Sequence, residues 1–298
     1  MVTACGNSNS PSAAGMDTPT FTPSSVSSPT ITPTPHGVTG TILSPGDVAI
    51  LGFTVHGTAN DQFAFVLLKA VMAGTEINIS DQNWLGYQFG TFDGGVIEWM
   101  ADQNYPAGTI IQALPTNNGS SSSTKAYAVN IYSAGMTYSN VATATVTPGT
   151  YAVNPSSPVS LVTVSNTGGG ITGLSANGDQ LLIYQGSTAL AASASAVTFV
   201  GGFTYGAPWL TGTPTPTIVA TIAVNANTYL PPGLINGQSA IAISTLNVGN
   251  GGYYSCSAGT TGNETQLGAL LNNPSNWTLQ MTPVDLPIPI LACGITVQ

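Results

Sequence analysis

Arginine is absent from this 298-residue chain, and two lysines, Lys69 and Lys125, are its whole basic complement apart from two histidines. Charged residues make up 4% of the sequence, against about 25% in an ordinary soluble domain. That excludes nucleic-acid binding, because neutralising phosphates takes clustered Lys and Arg. It also argues against nucleotide enzymes: no GxxxxGK loop occurs, and both lysines sit outside Gly-rich turns. No apolar run approaches the ~20 residues that a membrane-spanning helix needs. Histidine is scarce too. His36 and His56 are the only two, and no GxSxG elbow accompanies them, so Ser–His–Asp hydrolysis lacks its parts. His56 reads more simply as a solvated turn residue.

What is present is an acidic, hydroxyl-rich and strongly apolar chain. Eleven acids give net charge −9, and 42% of residues are hydrophobic, beside 35 Gly and 21 Pro. The apolar fraction can fill a sizeable core. Solubility then rests on Ser, Thr, Asn and Gln rather than on charge, which suits a secreted, wall-like or polymeric protein. Extracellular or cell-surface placement is the expectation.

Val2-Thr3-Ala4-Cys5 resembles the end of a bacterial lipoprotein signal, in which an aliphatic residue and two small residues precede a lipidated cysteine. The charged and apolar regions of a signal are not in the sequence. The expectation is therefore a lipobox-like segment 1–10 with Cys5 lipidated, from a precursor beginning upstream of Met1. The alternative is a cysteine in a plain tail. Any contact with a membrane would run through that anchor. Residues 11–40 form a Pro/Ser/Thr-rich linker in which Pro19-Thr20-Phe21-Thr22-Pro23 returns as Pro29-Thr30-Ile31-Thr32-Pro33. Proline at this density favours extended chain and forbids helix. The other two cysteines, Cys256 and Cys293, read as a disulfide in an exported chain, the alternative being two buried thiols. Three cysteines with no close pair give no zinc site.

From residue 41 to 298 the pattern is one domain of short apolar or alternating runs punctuated by Gly, Pro and Asn. The runs fall at 48–55, 63–68, 75–80, 96–100, 109–114, 126–132 and 141–147. They continue at 159–164, 180–184, 197–203, 218–224, 239–246, 277–281 and 288–297. Their β-branched and aromatic content predicts an all-β fold, a jelly-roll-like β-sandwich. One short helix near the C-terminus is expected. Asn263 is its N-cap, Gln266 completes the capping box, and Leu267, Leu270 and Leu271 share a face. Two turns echo: Ala73-Gly74-Thr75 returns as Ala107-Gly108-Thr109, and Gly46-Asp47 returns as Gly178-Asp179.

Several segments in order carry a resemblance. They are Pro45-Gly46-Asp47-Val48-Ala49-Ile50, Phe63-Ala64-Phe65-Val66, Ala73-Gly74-Thr75-Glu76-Ile77 and Ser80-Asp81-Gln82-Asn83-Trp84. Leu174-Ser175-Ala176-Asn177-Gly178-Asp179-Gln180-Leu181, Leu230-Pro231 to Gly237, and Asn276-Trp277 follow. Together they resemble a β-rich domain recurring in secreted and surface bacterial proteins, often beside nuclease, phosphatase or calcium-binding repeat modules. The resemblance covers roughly residues 44–280. It implies an extracellular accessory or structural module and supplies no catalytic residues. The scarcity of charge and the insert near 117–158 depart from that pattern.

The acids are the main chemical resource. Glu76, Asp81, Asp93, Glu98 and Asp102 all fall between positions 76 and 102. Glu76 and Glu98 could act as a glycosidase pair, with Trp84 and Trp99 stacking on a sugar; turn chemistry is the alternative for the aspartates. Asp61, Asp81 and Asp102, each beside an amide residue, are candidate Ca²⁺ ligands, although none fits a D-x-[DN]-x-[DN]-G loop. The leading expectation is a non-enzymatic structural or adhesive surface subunit without catalytic residues. It would self-associate, or bind other surface proteins, through strand addition by its N-terminal segment. A polysaccharide- or calcium-binding module is the alternative, and a carboxylate glycosidase the third reading.

Overall fold

The computed structural model describes residues 40–55, 61–90, 95–115, 127–134, 151–153, 162–164, 174–188, 192–214, 227–243, 251–280 and 294–298. All belong to the second of two units into which the chain divides, Pro33–Gln298. The runs at 141–147 and 218–224 lie outside the described residues, as do Cys5, Cys293, His36, His56 and Asp93.

The strands are β1 (Val48–Thr54), β2 (Gln62–Leu67), β3 (Glu76–Ser80), β4 (Val96–Met100), β5 (Ile110–Pro115), β6 (Tyr127–Ala134), β7 (Tyr151–Val153) and β8 (Val162–Val164). They continue as β9 (Asp179–Gly186), β10 (Val197–Tyr205), β11 (Ala240–Ile243), β12 (Gly251–Tyr254), β13 (Thr261–Gly262), β14 (Trp277–Gln280) and β15 (Thr296–Val297). The first sheet runs β14-β12-β1-β2-β5-β6-β7 and the second β11-β10-β9-β3-β4-β8, while β13 and β15 make a short parallel pair. Within the second sheet β10 and β11 also pair in parallel, which alternation of residues alone does not indicate. The fold is an all-β sandwich with one short helix.

The two sheets meet at β1 and β10. Phe53 lies 4.9 Å from Phe203 and 4.3 Å from Tyr205, ring centroid to centroid. A register shift in β10 between Phe199 and Gly201 interrupts the ladder. The carbonyl of Val200, inside that shift, accepts from Gly46 N of the other layer at 2.8 Å. Successive strand residues point to opposite faces, so Ile77, Ile79, Ile97 and Trp99 enter the sandwich core. The outer face of the second sheet carries another apolar cluster built from Trp84, Phe89, Leu182, Tyr184, Phe199 and Trp209. Trp84 meets Phe89 and Phe199 edge-on, at 5.3 Å and 4.9 Å. β9 and β10 are covered on both faces, which is why they read as nearly continuous apolar runs.

Helix α1 (Glu264–Leu271) begins as its sequence predicts. Asn263 Oδ1 accepts from Gln266 N at 2.9 Å, and Asn263 N donates to Gln266 Oε1 at 3.0 Å. Leu267 and Leu271 are buried and Leu270 packs partly against the same core. The last carbonyls of a helix lack intrahelical partners. Here Asn276 Nδ2 donates to Leu270 O at 2.9 Å and Trp277 Nε1 to Leu271 O at 2.8 Å. Trp277 then stacks on Phe203 at 5.4 Å, tying the helix to the second sheet.

Both turn echoes have a structural basis. Gly74 and Gly108 have φ of 81° and 86°, as position i+2 of a type II turn requires. Thr75 Oγ1 donates to Met72 O at 2.6 Å and Thr109 Oγ1 to Pro106 O at 2.7 Å, closing the two turns alike. Before β1, Asp47 Oδ2 accepts from Ser44 N, and before β9, Asp179 Oδ2 accepts from Ser175 N. Each echo launches one strand in each sheet.

Candidate functional site

The β3–β4 hairpin decides which of the sequence-nominated acids share a site. Ser80 pairs with Val96 at one end of it and Glu76 with Met100 at the other. Asp81 and Asp102 therefore follow opposite ends, separated by about 13 Å of strand. Asp102 is exposed, and its Oδ1 accepts from Tyr105 Oη at 2.5 Å within the turn after β4. Of the candidate Ca²⁺ ligands Asp61, Asp81 and Asp102, the strand pair therefore holds Asp102 away from Asp81. Among the described residues, no group of three or more His, Cys, Asp or Glu side chains is arranged to hold a metal ion.

Asp61 and Asp81 have a different companion. Both act electrostatically on Asp179, at the start of β9, and all three are buried. The Asp179 carboxylate accepts from Ser175 N at 3.0 Å, and from Gln180 N and Gln180 Nε2 at 2.9 Å each. The same Gln180 amide also donates to the Asp81 carbonyl, and Asp81 Oδ1 accepts from Gly95 N at 2.6 Å. Burial drives the Asp179 carboxyl well above the usual carboxylate range, with the charges of Asp81 and Asp61 adding to it and the backbone donors opposing it. The nearby Tyr205 hydroxyl is pushed up by burial and then by the same three acids. It donates to Ser175 O at 2.8 Å. The bonds of this cluster fix the turn before β9. Asp179 and Gln180 are not among the residues that the sequence nominates. The one signal for them is the Gly-Asp echo, which reads as turn chemistry.

Glu76 and Glu98, the other nominated pair, do come together. Glu98 is the register partner of Asn78, two residues along β3 from Glu76, so both carboxylates leave the outer face of the second sheet on adjacent strands. Burial, then the charge of Glu76, raises the Glu98 carboxyl. Tyr184, across Asn78 on the other side, is pushed up by burial and by both glutamates.

The nominated stacking surface is not formed. Trp84 and Trp99 are both 0% exposed and lie in different cores, Trp84 in the outer-face cluster and Trp99 inside the sandwich. Trp209 and Trp277 are buried as well. Large aromatics were recruited for packing, which gains the burial of their whole area. A shallow cavity of about 380 Å³ lies elsewhere, lined by Ala70, Val71, Met72, Asn104, Tyr105 and Pro106.

One further acidic contact joins α1 to the strand start. A side-chain hydrogen bond with Asp47, then burial and the Asp47 charge, pushes Glu264 up to about 7, and Lys69 opposes this. Lys69 Nζ itself sits 2.9 Å from Asp47 Oδ2. No helix among the described residues is long and apolar enough to cross a membrane. No family model matches the chain, and no curated protein or solved structure matches it.

Proposed function

We propose that the chain is a non-enzymatic extracellular surface subunit, structural or adhesive, that self-associates by strand addition through its N-terminal segment. The observation that carries this reading is the chemistry of the sheet edges. Among the described residues the outermost strands are β14 and β7 in one sheet and β11 and β8 in the other. Their sequences, Trp-Thr-Leu-Gln, Tyr-Ala-Val, Ala-Ile-Ala-Ile and Val-Thr-Val, hold no charge and no proline. Proteins that must stay monomeric usually guard edges with Lys, other charges or Pro. An extended peptide adds to such an edge by backbone pairing, with its side chains entering pockets. Phe21, Val26 and Ile31 are spaced along the linker as apolar teeth for that role. Exposed Ile42, Met72 and Met100 lie on segments tied together by Thr41, Thr75 and Ala101. They offer an apolar contact at the Glu76–Met100 end of the β3–β4 hairpin.

The paired-cysteine reading belongs to the same proposal. Cys256 is a bonded rather than a free thiol, and the parallel β13–β15 ladder brings the C-terminal segment beside Thr261–Gly262. Those facts support Cys293 as its partner, in an oxidising compartment. Lipidation at Cys5 and membership of the surface-protein domain that the sequence resembles are parts of the same reading.

Electron microscopy of the full chain tests it, beside a variant lacking residues 6–37 and the edge variant Thr278→Lys. The expected result is multimers or filaments for the full chain, lost in both variants. A monomeric full chain, or unchanged assembly after the deletion, refutes strand donation.

A further inference from the structure

Asn78 sits at the centre of the outer-face acidic pair. It is the register partner of Glu98 on β4 and of Tyr184 on β9, and Glu76 precedes it by two residues on the same face. Like charges on neighbouring strands destabilise a sheet unless something neutralises them. Among the described residues Lys69 is the one basic side chain. The chain has no arginine, and Lys69 is committed to Asp47.

The Asn78 side chain adds a second, independent observation. Asn78 is 0% exposed, and its Nδ2 donates to Glu76 Oε1 at 2.9 Å and to Gly186 O at 3.2 Å. Those two acceptors fix the orientation of the amide, because the flipped form would set Oδ1 against two oxygens. The Oδ1 so oriented is buried and accepts no hydrogen bond. A buried acceptor left unmade costs about 1–3 kcal/mol. The cluster therefore holds two carboxylates and an unsatisfied amide oxygen, with the Asn78 donors already used. What such a group lacks is positive charge.

We propose that Glu76, Glu98 and the Asn78 amide oxygen form a binding site for a hard divalent cation, Ca²⁺ in particular, on the outer face of the second sheet. An all-oxygen donor set excludes a preference for zinc or copper, which favour nitrogen and sulfur. Mg²⁺ demands near-ideal octahedral geometry and sheds its water reluctantly, whereas Ca²⁺ accepts irregular sets of six to eight oxygens. Three protein groups leave several positions to water. Affinity should then fall in the range of extracellular modules, about 10⁻⁴–10⁻³ M. Bound there, the ion bridges β3 and β4 and cancels the repulsion between them. The site shares no residue with Asp61, Asp81 or Asp102, and the proposal does not depend on assembly.

The full chain, stripped with EDTA, is titrated with Tb³⁺ under excitation of Tyr and Trp, then with Ca²⁺ as competitor. Thermal unfolding is followed with and without Ca²⁺. Tyr184, beside Asn78, is the antenna. The expected result is sensitised emission displaced by Ca²⁺, and a Ca²⁺-dependent rise in Tm. Glu98→Gln and Glu76→Gln should each weaken the response by at least about tenfold. In EDTA, Glu98→Gln should melt no lower than wild type, because it removes the repulsion; that also shows that it folds. Asp102→Asn should respond like wild type. The proposal is overturned by a wild-type chain that shows neither emission nor a Ca²⁺ shift. It is equally overturned if both glutamine variants respond unchanged, or if Asp102→Asn abolishes the response. A pH-dependent Tm that Glu98→Gln abolishes, with no Ca²⁺ effect, would mean that a shared proton occupies the pair, and that also overturns it.

Discussion

Replacing Asp179 by asparagine should remove part of the protein's pH dependence. In the folded chain two influences compete for this carboxyl. Three N–H donors, from Ser175 N, Gln180 N and Gln180 Nε2, favour the anion. Burial and the neighbouring Asp81 and Asp61 favour the acid, and they win. A folded pKa raised above the ordinary 3.8 means that the native state holds this proton more tightly than the unfolded chain. The stabilisation is full at pH below 3.8 and declines as pH rises toward the folded pKa, by about 1.4 kcal/mol per pH unit. The side chain introduced by Asp179→Asn is neutral at every pH. It keeps one oxygen for the Gln180 donors but sets an NH₂ against Ser175 N–H, a pH-independent loss of about 1–3 kcal/mol. Urea unfolding of both proteins at pH 4, 5, 6 and 7 gives the difference between them, in which contributions from Glu98 and Glu264 cancel. The wild-type advantage should shrink by about 1.4 kcal/mol per unit from pH 4 upward and level off beyond the folded pKa. Asp81→Asn, which keeps an acceptor for Gly95 N, should bring the levelling to lower pH. A difference that stays flat from pH 4 to 6, or that grows with pH, would show that the three donors outweigh burial, and the account of this cluster would be wrong.

Two other outcomes follow from single contacts. Trp277→Phe strips the Leu271 carbonyl of its donor while keeping an aromatic ring near Phe203, so unfolding free energy should drop by about 1–3 kcal/mol; a loss below about 0.5 kcal/mol would show that this bond does not hold the helix end. Non-reducing peptide mass spectrometry of exported protein should recover Cys256 joined to Cys293, and a Cys256–Cys5 link or two free thiols would contradict the pairing.

Strands that bury one face, or both, are legible from their residues, because alternation and apolar runs record burial directly. β4 lies at 96–100 as its run indicates, β1 and β3 differ from theirs by a residue at one end, and β2 by a residue at each end. β12 is not legible. No apolar run marks it in the sequence, yet it lies mid-sheet between β1 and β14. A Cβ on Gly251 would stand 2.8 Å from Phe53 O, and one on Gly252 would meet Leu279 and Phe53 side chains at 3.0 and 3.1 Å. Glycine there records a close approach rather than a bend, and that constraint comes from residues far away in sequence. The tryptophans fail for a related reason. Aromatic rings look alike in a sequence whether they face water or a second apolar cluster, and only the layer that Trp84 builds over Phe199 decides between those fates.

The acids divide along the same line. Glu76 and Glu98 are found as a pair because one hairpin joins them, and a hairpin is readable from two adjacent strand patterns. Asp61, Asp81 and Asp179 meet through the packing of two sheets, which no local pattern encodes. Proximity in sequence even misleads in the case of Asp102, because 21 positions after Asp81 the chain has reached the far end of the strand pair. Asn78 is the residue that the sequence conceals most. On paper it is the central polar residue of the regular alternation Glu-Ile-Asn-Ile-Ser, a position that reads as facing solvent. In the fold it is the fully buried neighbour of two carboxylates, with one oxygen that no donor reaches. Its Nδ2 bonds to Glu76 and Gly186 account for an amide at this position, but they do not satisfy the buried oxygen. An incoming cation would.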